Sequence, residues 1–127
     1  MKYLLDTQIV LWLFENDVKL SDKAKSIIFD PVNQCFVSVV SLWEIALKMN
    51  IGKYKFPGGF SVLRQLVNDN YFEVMSIKDE YLSGLFVLPF HHRDPFDRLI
   101  IATTHAENMI LVTADEEIQK YDVKWIF

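Results

Sequence analysis

The sequence has a single cysteine, Cys35, and only three histidines, four glycines and four prolines among its 127 residues. One thiol excludes an internal disulfide framework and a CxxC-type zinc site, and it suits a reducing compartment. So few Gly and Pro leave no flexible linker or low-complexity tract. No apolar run approaches the roughly 20 residues that span a bilayer, so no membrane association is expected. Met1-Lys2 followed by apolar residues has the outline of a signal peptide, but Asp6 and Gln8 interrupt it and no small-residue cleavage site follows. The expectation is a cytoplasmic chain. Basic residues are short as well: 13 Lys and Arg face 17 Asp and Glu, giving a formal net charge of −4. That excludes nucleic-acid binding through bulk charge alone. It turns the question to where the acids sit.

What is present is apolar, 51% of the chain, with 24% charged. At this length the chain should bury roughly two-thirds of its unfolded surface, enough for one self-sufficient domain over residues 1–127. Lys2 to Leu5 reads as a buried strand, and Gln8 to Phe14 as a helix. Ser21 caps a helix through Phe29, stopped by Asp30-Pro31. Cys35 to Val40 is β-branched and aromatic, hence a strand. Ser41-Leu42-Trp43-Glu44 matches a capping box for a helix running to Asn50. Phe60 to Val67 and Asp79 to Leu88 read as helices, and Phe72 to Met75 as a strand. Asp94 is placed as a cap with Pro95 at the first position of a helix reaching Glu107. Met109 to Val112 and Val123 to Phe127 are strands, with a short helix, Glu116 to Tyr121, between them. Alternating strands and helices predict an α/β fold: a central, mostly parallel sheet flanked by helices on both faces. Ligands of such folds sit at the carboxyl ends of the strands.

Asp6 and Asp115 lie just beyond two of these strands, Glu44 opens the helix after another, and Asp97 opens the helix that Asp94 caps. Each has a plain structural reading: a strand end, a capping box, a first-turn acid, a cap. Brought together they have another. Like charges at close range destabilise one another, so such a cluster needs a cation. Oxygen ligands without Cys point to Mg²⁺ or Mn²⁺.

Tyr3-Leu4-Leu5-Asp6-Thr7, Ser38-Val39-Val40-Ser41-Leu42-Trp43-Glu44-Ile45, His92-Arg93-Asp94-Pro95-Phe96-Asp97-Arg98-Leu99-Ile100-Ile101-Ala102 and Val112-Thr113-Ala114-Asp115 resemble the signature segments of PIN-domain proteins, and most closely the VapC-type toxins of bacterial toxin–antitoxin systems. The resemblance runs through essentially the whole chain, and the Asp-Pro-Phe-Asp-Arg segment is its most specific part. It implies a PIN-like (Rossmann-like) domain and a metal-dependent endoribonuclease. The family's acidic ligands fall on Asp6, Glu44, Asp97 and Asp115. Asp97 is preferred within its segment because it precedes Arg98-Leu99-Ile100-Ile101-Ala102, as the family's acid precedes its apolar helix, and Asp94 is the second candidate, with capping as its main job. Thr7 and Thr113 match hydroxyl positions that orient a ligand or water. The resemblance also implies a homodimer inhibited by a VapB-like antitoxin that fills the active groove.

Phosphodiester hydrolysis needs an activated water and neutralisation of a crowded anionic phosphorus, which Mg²⁺ or Mn²⁺ can supply. On this reading Asp6 and Asp97 hold the principal metal, while Glu44 and Asp115 complete the shell through water or at a second site. Lys48, Lys53, Lys55, Arg93 and Arg98 are candidates for RNA phosphate contacts. His91 and His92 are expected to be exposed loop residues, with general-acid catalysis the lesser reading, and His105 to pack in its helix or stand partly exposed. Trp12, Phe14, Trp43, Phe86 and Phe90 are expected in the core, some of them forming an apolar surface for pairing or for an antitoxin. The rival readings are a receiver-like Mg²⁺-binding signalling module and a PIN-like binding protein without catalysis. A receiver wants paired acids after the first strand, and Asp6 is followed by Thr7 and Gln8.

Overall fold

A computed structural model describes all 127 residues. In chain order the elements are β1 (Lys2–Leu5), α1 (Thr7–Glu15), α2 (Asp22–Phe29), β2 (Gln34–Ser38), α3 (Val39–Asn50), α4 (Gly59–Asp69), β3 (Glu73–Met75), α5 (Asp79–Val87), α6 (Pro95–Glu107), β4 (Ile110–Val112), α7 (Glu116–Gln119) and β5 (Trp125–Ile126). The strands form one sheet in the order β3-β2-β1-β4-β5, parallel at every pairing. This is the Rossmann-type order; a receiver places its strands 2-1-3-4-5. The receiver reading is excluded on topology.

The central strands are apolar at consecutive positions because helices cover both faces. Tyr3, Leu5, Cys35, Val37 and Val112 point into one core with residues of α1, α2 and α4 and with Leu42 and Ile45 of α3. Leu4, Phe36 and Leu111 point the opposite way, into a second core with Val40 and residues of α5, α6 and α7. The two-residue period of a strand sorts neighbours between the layers. Leu5 is the central contact, opposite Val37 on one side and Val112 on the other. Each fully buried side chain of this kind stabilises the fold by about 1.5–3 kcal/mol.

Two expectations are corrected. Strand β2 ends at Ser38, not Val40, and the capping box at Ser41 does not form. Ser38 caps α3 instead, its Oγ accepting the Val40 N–H at 3.0 Å. Val39 and Val40 look strand-like, yet Val40 is fully buried in the second core as part of the helix's first turn. Packing overrides a preference worth only tenths of a kcal/mol. Three of the expected core aromatics are exposed: Trp43 at 56%, Phe86 at 89% and Phe90 at 77%. Trp43 stacks edge-on against Phe96 at 4.7 Å and otherwise faces outward.

The corrected cap gives a test. Ser38→Ala should cost about 1 kcal/mol of stability in urea denaturation, the usual loss for a helix cap. An unchanged midpoint would mean that Ser38 does not cap α3.

Candidate functional site

Strand β1 has β2 on one side and β4 on the other, so the chain leaves β1 and β4 toward opposite faces of the sheet. The crevice this opens is where open α/β sheets bind ligands. Asp6 sits in it as the first residue after β1, only 4% exposed. Its N–H extends the sheet ladder to the Val112 carbonyl at 3.0 Å. Its Oδ1 accepts the Thr7 N–H and its Oδ2 accepts the Thr113 hydroxyl, both at 2.8 Å. Thr113 Oγ1 in turn accepts the Asp115 N–H at 3.1 Å, so one hydroxyl ties the ends of β1 and β4 together. Thr7 reaches the other way, donating its hydroxyl to Ser41 Oγ at 2.9 Å and fixing α1 to α3.

Freed from a capping role, Glu44 lies in the second turn of α3, 6% exposed. Its Oε2 pairs with Lys48 Nζ at 3.0 Å. Its Oε1 is the one buried side-chain polar atom in the molecule without a hydrogen-bond partner. Asp97 occupies the first turn of α6, where Asp94 caps the helix by accepting the Asp97 N–H at 3.0 Å. Asp115 caps α7 through the Glu117 N–H at 2.9 Å. Asp6, Glu44, Asp94, Asp97 and Asp115, with Thr7, Gln8, Leu11, Trp12, Lys48 and Ala114, line one cleft of about 340 Å³. A more voluminous cavity of about 610 Å³ between α5 and α6 has Asp122 as its single carboxylate, so volume does not mark this site.

The carboxylates share one field. Burial first, then repulsion from Asp97 and Asp115, pushes Asp6 up to about 7 against the hydrogen bonds from Thr113 and Thr7. Asp97 also rises to about 7, through burial and the charges of Asp94, Asp115 and Glu44, partly offset by Lys48. Against this excess the cleft supplies one ammonium group, on Lys48. No three His, Cys, Asp or Glu side chains stand close enough to form a ready-made metal cage. The acids ring the cleft rather than touching. Carboxylate oxygens are nonetheless the donor type that Mg²⁺ takes, one or two at a time with water completing its shell.

Some sequence candidates belong elsewhere. Arg98, expected to be free for phosphate, is 5% exposed and cannot serve. Its guanidinium donates to the carbonyls of Leu88 and Pro89 at 3.2 and 2.8 Å and to the Tyr121 hydroxyl at 3.1 Å. Arg93, Lys53 and Lys55 are exposed. His92, expected to be a loose loop residue, is held inside: Nε2 lies 3.1 Å from Asp97 Oδ2 and Nδ1 2.9 Å from the Tyr121 hydroxyl. Its nearness to the Asp94-Pro95-Phe96-Asp97 segment was the only sequence signal for this.

The chain matches the PIN domain family model over residues 3–124. No curated protein matches it in sequence. Among solved structures it is similar to VapBC2 from Rickettsia felis, bound to a DNA fragment from the promoter, with TM-score 0.76 and 16% identity over 99% of this chain and 98% of that one. Similarity to DNA-bound VapBC from Salmonella typhimurium has TM-score 0.73 and 14% identity, covering 99% and 97%. For VapBC-1 from nontypeable Haemophilus influenzae the values are 0.72 and 18%, covering 99% and 97%.

The raised carboxyl groups predict how metal-free stability depends on pH. Asp6 and Asp97 bind protons in the folded state up to about pH 7 but from an ordinary value of 3.8 when unfolded. Stability from this source is therefore full below about pH 4, declines as pH rises to 7, and is level above. Urea denaturation in chelator should show wild type losing stability from pH 5 to pH 8. Asp97→Asn should flatten that decline and stand at or above wild type at pH 8. A variant that is less stable at both pH values would show that Asp97 serves the fold alone.

Proposed function

The chain belongs to the PIN domain family, and from that premise we propose that it is a metal-dependent endoribonuclease, the toxin of a VapBC-type toxin–antitoxin pair. One observation carries the enzymatic part: four separate segments deliver Asp6, Glu44, Asp97 and Asp115 to a single cleft at the switch point of the sheet. Two of them sit where burial and mutual repulsion disfavour their charge, and Glu44 Oε1 has no partner. Such a site is short of a cation, and its donors are all hard oxygens suited to Mg²⁺ or Mn²⁺.

Asp6 and Asp97 would hold the principal ion, with Glu44 and Asp115 completing the shell directly or through water. A bound ion of this kind neutralises phosphate charge and makes a water nucleophilic near neutral pH. Thr113 keeps Asp6 aimed through its 2.8 Å hydrogen bond, and Thr7 keeps α1 registered on α3. A carboxylate of the set can accept the proton of the attacking water. Lys48 within the cleft and exposed Arg93 beside Asp94 would meet RNA phosphates. This local arrangement lets an acidic chain bind an acidic polymer.

The toxin part rests on the fold shared with VapBC proteins along nearly the whole chain. A VapB-like antitoxin that filled the cleft would have to present a cation to its carboxylates. Pairing with a second copy is supported by the outer face of α3, where Val39, Trp43, Leu47 and Ile51 recur every four residues, all exposed. Leu82 and Phe86 expose a similar row on α5. Contiguous apolar surface of this kind marks interfaces. A cytoplasmic setting suits the free, buried thiol of Cys35. No helix is long and apolar enough to cross a membrane.

Purified protein should cleave RNA with Mg²⁺ or Mn²⁺ and stop when the metal is chelated. Asp6→Asn and Asp97→Asn should each lower cleavage at least 100-fold with unchanged circular dichroism, while Asp94→Asn keeps most activity because asparagine still caps a helix. Cleavage that persists in excess chelator would refute the mechanism. Binding to the folded state alone should also raise the melting temperature. At a hundredfold excess of Mn²⁺ over Kd the gain is about 2.7 kcal/mol, or on the order of 10 °C for a domain of this size. Asp97→Asn should lose most of that shift.

Pairing is tested separately. Trp43→Glu should convert a dimer to a monomer in sedimentation or light scattering, with the fold intact because the side chain already faces solvent. A wild-type chain that is monomeric at tens of micromolar would remove the homodimer from this reading.

A further inference from the structure

The segment between α5 and α6, residues 88–94, has no regular structure, yet it is tightly held. Arg98 is buried beneath it and donates to the backbone carbonyls of Leu88 and Pro89. The Phe90 ring lies over the guanidinium at 4.0 Å. Tyr121, 4% exposed, closes the segment from the side of β4 and α7. The aromatic edges of His91 and His92 meet the Tyr121 ring at 4.7 and 5.4 Å.

Hydrogen-bond accounting at Tyr121 Oη points to one tautomer of His92. The oxygen accepts from Arg98 Nη1 at 3.1 Å and from the His92 backbone N–H at 3.3 Å. Both lone pairs are then used, and the single phenolic proton must go to an acceptor. The nearest is His92 Nδ1 at 2.9 Å, closer than the His92 carbonyl at 3.3 Å. An accepting Nδ1 leaves the proton of the neutral ring on Nε2. That nitrogen faces Asp97 Oδ2 at 3.1 Å, the one hydrogen bond the Asp97 carboxylate makes with the protein.

We propose that His92 is a positioning residue for Asp97: its Nε2–H holds Oδ2, and the Arg98–Tyr121 pair fixes the ring in the tautomer and orientation that can donate. The inference rests on reading Asp97 as a cation ligand and goes beyond it by assigning what aims that ligand. Asp97 needs such a hold because Asp94, Asp115 and Glu44 all repel it. Without a donor on Oδ2 the carboxylate would turn away from its neighbours toward water. Buried Arg98 lends its charge to the site indirectly, by polarising the Tyr121 hydroxyl that His92 leans on.

The test is calorimetric titration of Mn²⁺ into RNA-free protein: wild type, His92→Ala, His92→Gln and Tyr121→Phe. His92→Ala should weaken Mn²⁺ binding by about 10–100-fold, the usual effect of removing a group that orients a metal ligand. His92→Gln should recover most of that loss, because its amide N–H can reach the place of Nε2. Tyr121→Phe should fall between wild type and His92→Ala. Equal affinity in wild type and His92→Ala would overturn the positioning role while leaving the metal site standing. Equally weak binding by the Ala and Gln variants would show that the ring's bulk matters and its proton does not, which also overturns it. Wild-type affinity in Tyr121→Phe would remove the relay behind the ring. A wild-type chain that binds no Mn²⁺ would instead sink the metal reading itself, and this inference with it.

Discussion

Asp6 is required both to be buried and to remain a hydrogen-bonded acid, and much of the structure answers to that constraint. It is the residue at which the central strand hands over to the first helix, so its backbone belongs to the sheet and its carboxylate to the cleft. The Thr113 hydroxyl satisfies one carboxylate oxygen and at the same time takes the Asp115 N–H. Through those two bonds the ends of β1 and β4 are fixed relative to each other, and with them the start of α7. Thr7, the next residue, extends the same bracing to α3 by way of Ser41. Asp6, Thr7, Ser41 and Thr113 are almost wholly buried, where an unmade hydrogen bond costs about 1–3 kcal/mol. The network therefore has little freedom to slip.

Most of the fold was readable because its signals are local and repeated. Tyr3, Leu4 and Leu5 are apolar on both strand faces, which only a sheet covered twice permits. Ser21, Asp94 and Pro95 stand where their chemistry places helix starts, and the structure uses them so. The boundary between β2 and α3 was misread because two competing caps, Ser38 and Ser41, stand three residues apart. Local propensity favoured the later one: Val39 and Val40 are β-branched, and Glu44 completes a box with Ser41. The earlier cap prevails because it places Val40 in one core while Leu42 and Ile45 turn into the other. That benefit is tertiary and leaves no local trace.

The site divides in the same way. Asp6, Asp97 and Asp115 were legible because each sits at a handover from one element to the next, and the parallel topology brings those handovers to one edge, which Glu44 joins from the second turn of α3. The roles of Arg98 and His92 were not. Tyr121, the partner they share, stands 23 residues beyond Arg98 and 29 beyond His92, and no periodicity links positions so separated. An arginine inside an acidic, apolar sequence was more easily imagined as a free surface charge than as a buried anchor for two carbonyls. The exposed aromatics on α3 and α5 were misjudged for a related reason. A Trp or Phe at helical spacing looks the same in sequence whether its row faces a core or a partner.

The formal charge of −4 can now be given a location. Several of the excess acids are concentrated at one end of the sheet, where burial holds Asp6 and Asp97 near the midpoint of their titration at neutral pH. Groups so poised gain little by ionising alone and much by ionising beside a cation. The crowding that makes the cleft a weakness in the fold is what the proposed divalent metal would relieve, because proton release and metal capture are coupled. The two cores beneath it, with helices on both faces, supply the rigidity that keeps the acids apart when no cation is there to neutralise them. A looser scaffold would relieve the repulsion by moving the carboxylates into water. Stability is thus given up at the one place where carboxylates are crowded together, and packing such as that of Leu5 between Val37 and Val112 offsets the loss.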